Sequence, residues 1–168
     1  MKPIKSMWLL SVLTVGVSFP SIAQQTLPAA TVVPVNYKYL TSVNGQTVAQ
    51  PVNMVQLRAA AFNVKNSEFY EDDYDNYFIS FYIPDGVVLA VYDKDGKLLR
   101  TVEKFKKVSV PPAVRAAVGQ RFPQWAISDD VYLVNFDDAN GAKKVYKLLL
   151  QNGDKRLRVK TDENGDFL

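Results

Sequence analysis

Asp93-Lys94-Asp95-Gly96-Lys97-Leu98-Leu99 recurs at the end of the chain as Asp162-Glu163-Asn164-Gly165-Asp166-Phe167-Leu168, 69 positions later. Both copies read D-x-[DN]-G-x-[LF]-L, and both follow a strand-like run. Asp and Asn bond nearby backbone amides in tight turns, and Gly supplies a positive φ. Each copy is therefore read as a hairpin turn, and the pair as one supersecondary unit used twice.

Working outward from the first copy, three strands are expected at Tyr77 to Ile83, Gly86 to Tyr92 and Lys97 to Phe105, with Pro84-Asp85-Gly86 as the other turn. A helix is expected from Pro111 or Pro112 to Phe122. Proline is tolerated in a first turn, Val114, Ala117, Val118 and Phe122 share one face, and Pro123 stops it. The closing strands fall near Val131 to Phe136, Lys144 to Leu150 and Arg156 to Lys160, with a short tail strand Asp166 to Leu168. Before the first meander, Val52, Val55, Ala59 and Phe62 lie at helical spacing. Val35 to Leu40 alternates like a half-buried strand, and Asn44-Gly45 suits a type I′ turn, so a hairpin is expected over about 35 to 50. Helices gathered on one face of an antiparallel sheet make an α+β fold.

From Pro111 onward, Pro112-Ala113-Val114, Phe122-Pro123-Gln124-Trp125, Val131-Tyr132, Val145-Tyr146-Lys147-Leu148 and Asp162-Glu163-Asn164-Gly165 resemble the PepSY-like domain family. That family is similar in architecture to the tandem repeats of the β-lactamase inhibitor protein. The resemblance implies two tandem helix-plus-antiparallel-sheet units with helices packed on one face: a degenerate one over 35–107 and a second over 108–168. It also implies an exported domain that binds or modulates other proteins. The first unit departs from the pattern, because its helix is short and the Phe-Pro-x-Trp stop is missing.

Residues 1–23 carry the parts of a secretory signal: Lys2 and Lys5, the apolar run Met7 to Val17, and Ser21-Ile22-Ala23. Cleavage after Ala23 and a flexible leader over 24–34 are expected, leading to a periplasmic or extracellular protein. No later stretch reaches the roughly 20 apolar residues of a membrane-spanning helix. The 145 residues from Gln24 can hold a core without disulfides, and the chain has no cysteine. Without Lys2 and Lys5 there are 18 basic and 17 acidic residues, a net charge of +1. Residues 24–93 hold 3 basic and 7 acidic side chains, whereas 94–168 hold 15 and 10. Opposite signs of this kind attract each other or a symmetry mate, so a homo-oligomer is one outcome.

The chain has no histidine, which removes the usual Ser-His-Asp and Cys-His catalytic sets and Cys/His zinc sites. No phosphate-binding glycine loop is present. The expectation is a non-enzymatic protein with no cofactor and no metal. Asp93-x-Asp95-Gly96 lacks the ligand spacing of a calcium loop. A near-neutral chain also argues against nucleic-acid binding. Arg156, Arg158 and Lys160 are read as a solvent face or a protected strand edge. Tyr92, Trp125, Tyr132 and Tyr146 are read as core or sheet-face residues.

The candidate binding residues are Tyr70, Asp72, Asp73, Tyr74 and Tyr77, inside an acidic and aromatic segment over 69–77. Tyrosine offers a rigid contact area with a polar tip, as interface anchors do. The expected partner is an envelope protein or peptide, met by a sheet face or an edge strand. The alternative is a small-ligand binder or a hydrolase that uses the same carboxylates.

Overall fold

Runs rich in β-branched and aromatic residues, most of them closed by a Gly, Asn or Asp turn, give six strands in the computed structural model, which describes residues 36–45 and 49–168. They are β1 Asn76–Ile83, β2 Gly86–Asp93, β3 Leu98–Lys106, β4 Ala126–Asp137, β5 Gly141–Asn152 and β6 Lys155–Thr161. All pair antiparallel, in sequence order, into one six-stranded sheet. The boundary expected at 107/108 falls between β3 and β4, which pair from Arg100–Asp137 to Lys106–Val131.

Among the described residues, three α-helices complete the α+β fold: α1 Tyr37–Val43, α2 Gln50–Ala61 and α3 Pro112–Arg121. Pro51 sits in the first turn of α2, and Val52, Val55, Gln56, Ala59 and Ala60 are buried along one stripe. α3 opens on Pro112 and buries Val114 and Val118. Its C-cap is Phe122, whose N–H bonds the Val118 carbonyl at 2.8 Å, just before Pro123 removes the next backbone donor.

The strand expected over Val35 to Leu40 is instead helical from Tyr37, and Asn44 is the C-cap of α1 rather than part of a hairpin turn. Residues 46–48, where a return strand was expected, and Val35 lie outside the described residues. The alternation of Asn36, Tyr37, Lys38 and Tyr39 misleads because the buried residues are Tyr39 and Val43, one helical turn apart. Tertiary burial decides the conformation here. Two further corrections concern length. β4 begins at Ala126 rather than Val131, with a register irregularity between Ile127 and Asp129, and the tail strand is reduced to one bridge, Thr161 to Phe167.

Side-chain alternation sorts the sheet into two faces. One buries Val88, Ala90 and Tyr92 of β2, Phe105 of β3, Tyr132, Val134 and Phe136 of β4, and Tyr146, Leu148 and Leu150 of β5. The larger aliphatic and aromatic side chains among these each contribute roughly 1.5–3 kcal/mol by leaving water. α1 and α2 meet this face. The Tyr39 hydroxyl donates to Glu103 Oε1 at 2.8 Å, Gln56 Nε2 donates to Glu103 Oε2 at 2.7 Å, and the Tyr92 hydroxyl donates to the Ala59 carbonyl at 2.6 Å.

The repeated turn has the same construction twice. Asp93 Oδ1 accepts the N–H groups of Asp95 and Lys97, both at 2.9 Å; Asp162 Oδ1 accepts those of Asn164 and Asp166, both at 2.9 Å. Gly96 has φ 82° and Gly165 has φ 94°, a region closed to most side chains. Each turn then docks separately. Asn36 accepts the Leu98 N–H at 2.7 Å and donates to the Gly96 carbonyl at 3.3 Å. Gly165 lies so close to α3 that a Cβ there would be 2.9 Å from the Ala113 carbonyl oxygen.

Candidate functional site

The acidic and aromatic segment, residues 69–77, follows a short 3-10 turn over Val64–Asn66 and leads into β1. Its tyrosines form a stack among themselves. Tyr70 lies parallel to Tyr77 with ring centroids 5.6 Å apart, and Tyr74 meets Tyr77 edge-on at 6.2 Å. Tyr77 is buried, and its hydroxyl donates to the Glu71 carbonyl. That contact folds the segment back on β1. Tyr74 stays 52% exposed and Phe69 47% exposed, so the segment still presents aromatic surface.

Glu71, Asp72, Asp73 and Asp75 are all exposed. Asp72 beside Tyr70 pushes that phenol's pKa above its ordinary value, with partial desolvation adding to the effect. Among the described residues, no carboxylate of this segment forms an ion pair, and no three acidic side chains converge as metal ligands. The segment is thus a strongly anionic rim at the N-terminal end of β1.

The second sheet face carries the more extended surface. Cross-strand register places Phe78 opposite Val91, Ser80 opposite Leu89 and Tyr82 opposite Val87. The next strand continues these rows with Arg100, Val102 and Lys104. Phe78 is 78% exposed, Tyr82 70%, Val102 49% and Leu89 45%. β4 adds Val131, Leu133 and Asn135 at the same face positions. This makes an apolar spine across the first four strands.

Cations frame that spine. Arg100, Lys104 and Lys106 come from β3, Lys143 and Lys147 from β5, and Arg156, Arg158 and Lys160 from β6. Against these eight the face sets three carboxylates, Asp93, Asp129 and Asp137; Asp93 accepts the amides of its own turn, and Asp137 is spent on Arg100 at 3.8 Å. Among the described residues, the other seven cations have no ion-pair partner. Lys147 stands directly opposite Lys160, an arrangement that is destabilising by itself and that an anionic group between them would relieve. A cleft of about 290 Å³ opens there, lined by Asp129, Val131, Lys147, Leu149, Arg158 and Lys160 among others.

Two features were missed in the sequence. The first is Glu103, 1% exposed and bonded by Tyr39, Gln56 and Thr101. Burial raises its pKa, while the three donors and the Lys144 charge pull it back down. Its signal was available: Arg100, Lys104 and Lys106 put the solvent side at even positions, which sends Thr101, Glu103 and Phe105 inward. The second is the exposed pair Phe78 and Tyr82. In Asn76-Tyr77-Phe78-Ile79-Ser80-Phe81-Tyr82-Ile83 both parities are apolar, so no alternation tells the faces apart.

Tyr92, Tyr132 and Tyr146 are buried in the core, as expected. Tyr132 and Tyr146 stack at 4.6 Å, and burial, helped by the Glu163 charge, pushes the Tyr146 phenol up to about 12. Trp125 is partly buried against the core.

A scan against protein-family models finds no match, and a search of curated proteins finds none either. Among the described residues, no helix is long and apolar enough to cross a membrane.

Proposed function

We propose that this protein is an exported, non-enzymatic PepSY-like domain that binds an acidic protein or peptide of the cell envelope through the second face of its sheet. The observation that carries this reading is the combination of an exposed apolar spine with seven unpaired cations on one surface. Desolvated aromatic and aliphatic side chains supply contact area, while the surrounding charge selects an oppositely charged partner and speeds encounter. The helices lie against the other face in this reading, which leaves the second one free along its whole width. The duplicated turn supports the tandem arrangement, since Asp93 and Asp162 hold identical bonding patterns.

The test compares three forms of the purified protein as bait in envelope extract: wild type, the face variant Lys147→Glu/Arg158→Glu, and the control Arg58→Glu on exposed α2. A partner held by wild type and control, released by the face variant and weakened by salt, is the expected result. Equal retention by all three forms would refute this surface. Turnover of a small substrate, abolished by Asp72→Asn/Asp73→Asn, would refute the non-enzymatic reading.

A further inference from the structure

The two edges of the sheet are finished in opposite ways. On β6, Lys155, Arg156, Arg158 and Lys160 place charge along the strand, and the tail covers its end: Thr161 bridges Phe167 and the Leu168 N–H bonds the Lys160 carbonyl at 3.0 Å. Charge and a covering segment are the devices by which edge strands avoid pairing with other chains. β1 has neither. Its eight residues, Asn76–Ile83, contain no charge and no proline, and its pairing with β2 runs without a bulge.

The outward groups of β1 can be assigned from its turn. Pro84-Asp85 is a two-residue connection, so Ile83 and Gly86 exchange hydrogen bonds and alternate residues bond inward. That leaves the N–H and C=O groups of Phe78, Ser80 and Tyr82 directed away from the sheet. Among the described residues, none of these groups bonds anything outside the strand. The same reasoning makes Lys160 an outward residue on β6, where the Leu168 bond is in fact found.

We propose that a second copy of this chain docks on β1, antiparallel, with the twofold axis at Ser80. This register sets Phe78 of each copy opposite Tyr82 of the other and Ser80 opposite Ser80, and it forms about six backbone hydrogen bonds. Both aromatic pairs fall on the exposed face, where Phe78 is 78% and Tyr82 70% accessible, and cross-strand aromatic pairs are favourable.

Charge selects the orientation. Glu71, Asp72, Asp73 and Asp75 precede β1, while its other end sets two cations, Lys106 and Lys107, against the single carboxylate of Asp85: the Lys106 backbone N–H bonds the Asp85 carbonyl at 2.8 Å, and the Lys107 ammonium pairs with the Asp85 carboxylate at 3.5 Å, so that end keeps a net positive charge. Antiparallel docking brings each acidic end to a basic end, twice over; parallel docking sets the acidic ends side by side. This inference is independent of the partner proposed above: Phe78 and Tyr82 pair at the edge, while the rest of the second face, from Leu89 on β2 to Lys160 on β6, stays open in the dimer.

Sedimentation and amide exchange of the purified protein test it, beside Ser80→Lys. Ser80 is exposed, so lysine leaves the fold intact, yet it brings two cations together on the axis. Wild type is expected to dimerise with concentration, with the amides of Phe78, Ser80 and Tyr82 slowed in the dimer. Ser80→Lys should weaken association by about tenfold or more while keeping the wild-type melting temperature. A monomer at all concentrations would overturn the proposal. A dimer insensitive to Ser80→Lys, or outward amides that are slow in the monomer because another segment or protein strand covers them, would do the same.

Discussion

Acidification from pH 8 towards pH 5 is expected to stabilise this protein, and Glu103→Gln to remove the share of that gain that Glu103 supplies. Burial holds the Glu103 pKa above its ordinary value of 4.5. For a group raised in the folded state, the stabilising contribution is complete below the unfolded pKa and is lost as pH rises through the folded one. The window therefore opens just above 4.5 and extends upward. One proton gives a slope of at most about 1.4 kcal/mol per pH unit, which for a domain of this size is about 3–5 °C in Tm. The substituted amide would keep the size of the side chain and an oxygen for Tyr39 and Thr101, and Gln56 can turn its own amide to present oxygen to the new NH₂. Asp130, also raised by burial, is unchanged in both proteins, so the difference isolates Glu103. Thermal unfolding at fixed ionic strength between pH 5 and 8 is the assay. A wild-type Tm that falls on acidification, or a Glu103→Gln protein that keeps the full slope, would show that Glu103 does not take up a proton in the folded state over this range.

The turns and helices yield further expectations. Tyr39→Phe should cost about 1–3 kcal/mol, the cost of leaving the buried Glu103 oxygen without that donor, read from urea unfolding. Gly165→Ala should destabilise by about 1–2 kcal/mol from its left-handed backbone alone, with the contact to Ala113 adding to the loss. Gly119→Ala, in α3 with open space around it, should stabilise by up to about 1 kcal/mol. Asp93→Ala and Asp162→Ala should each lower stability by about 1 kcal/mol, comparable to the loss of a helix cap, because each carboxylate holds two amides. A large difference between the two would show that the turns do not bear equal parts.

The sequence was most legible where turn chemistry and periodicity agree. Asp93 to Gly96, Pro84-Asp85 and the proline-bounded α3 all placed their elements within a few residues, since these positions depend on local backbone preferences. It failed at Tyr37–Val43, where the deciding contact is a buried carboxylate more than sixty residues away, and at β1, where residues of both parities are apolar. The segment over 69–77 was visible as a composition, but its tyrosine stacking depends on Tyr77 being drawn inward by the sheet. The cations of the second face lie on three separate strands, so only the register assembles them into one surface.

Whether this protein meets its partner through the second sheet face can be read from a photoreactive side chain at Val102, in the middle of that face, and another at Gln120, exposed on α3. Irradiation of living cells that make the full chain should join position 102 to one heterologous protein, with the adduct lost on Lys147→Glu/Arg158→Glu and absent from position 120. Adducts from position 120 alone, or none from position 102 while the protein is folded and abundant, would place the partner elsewhere on the molecule.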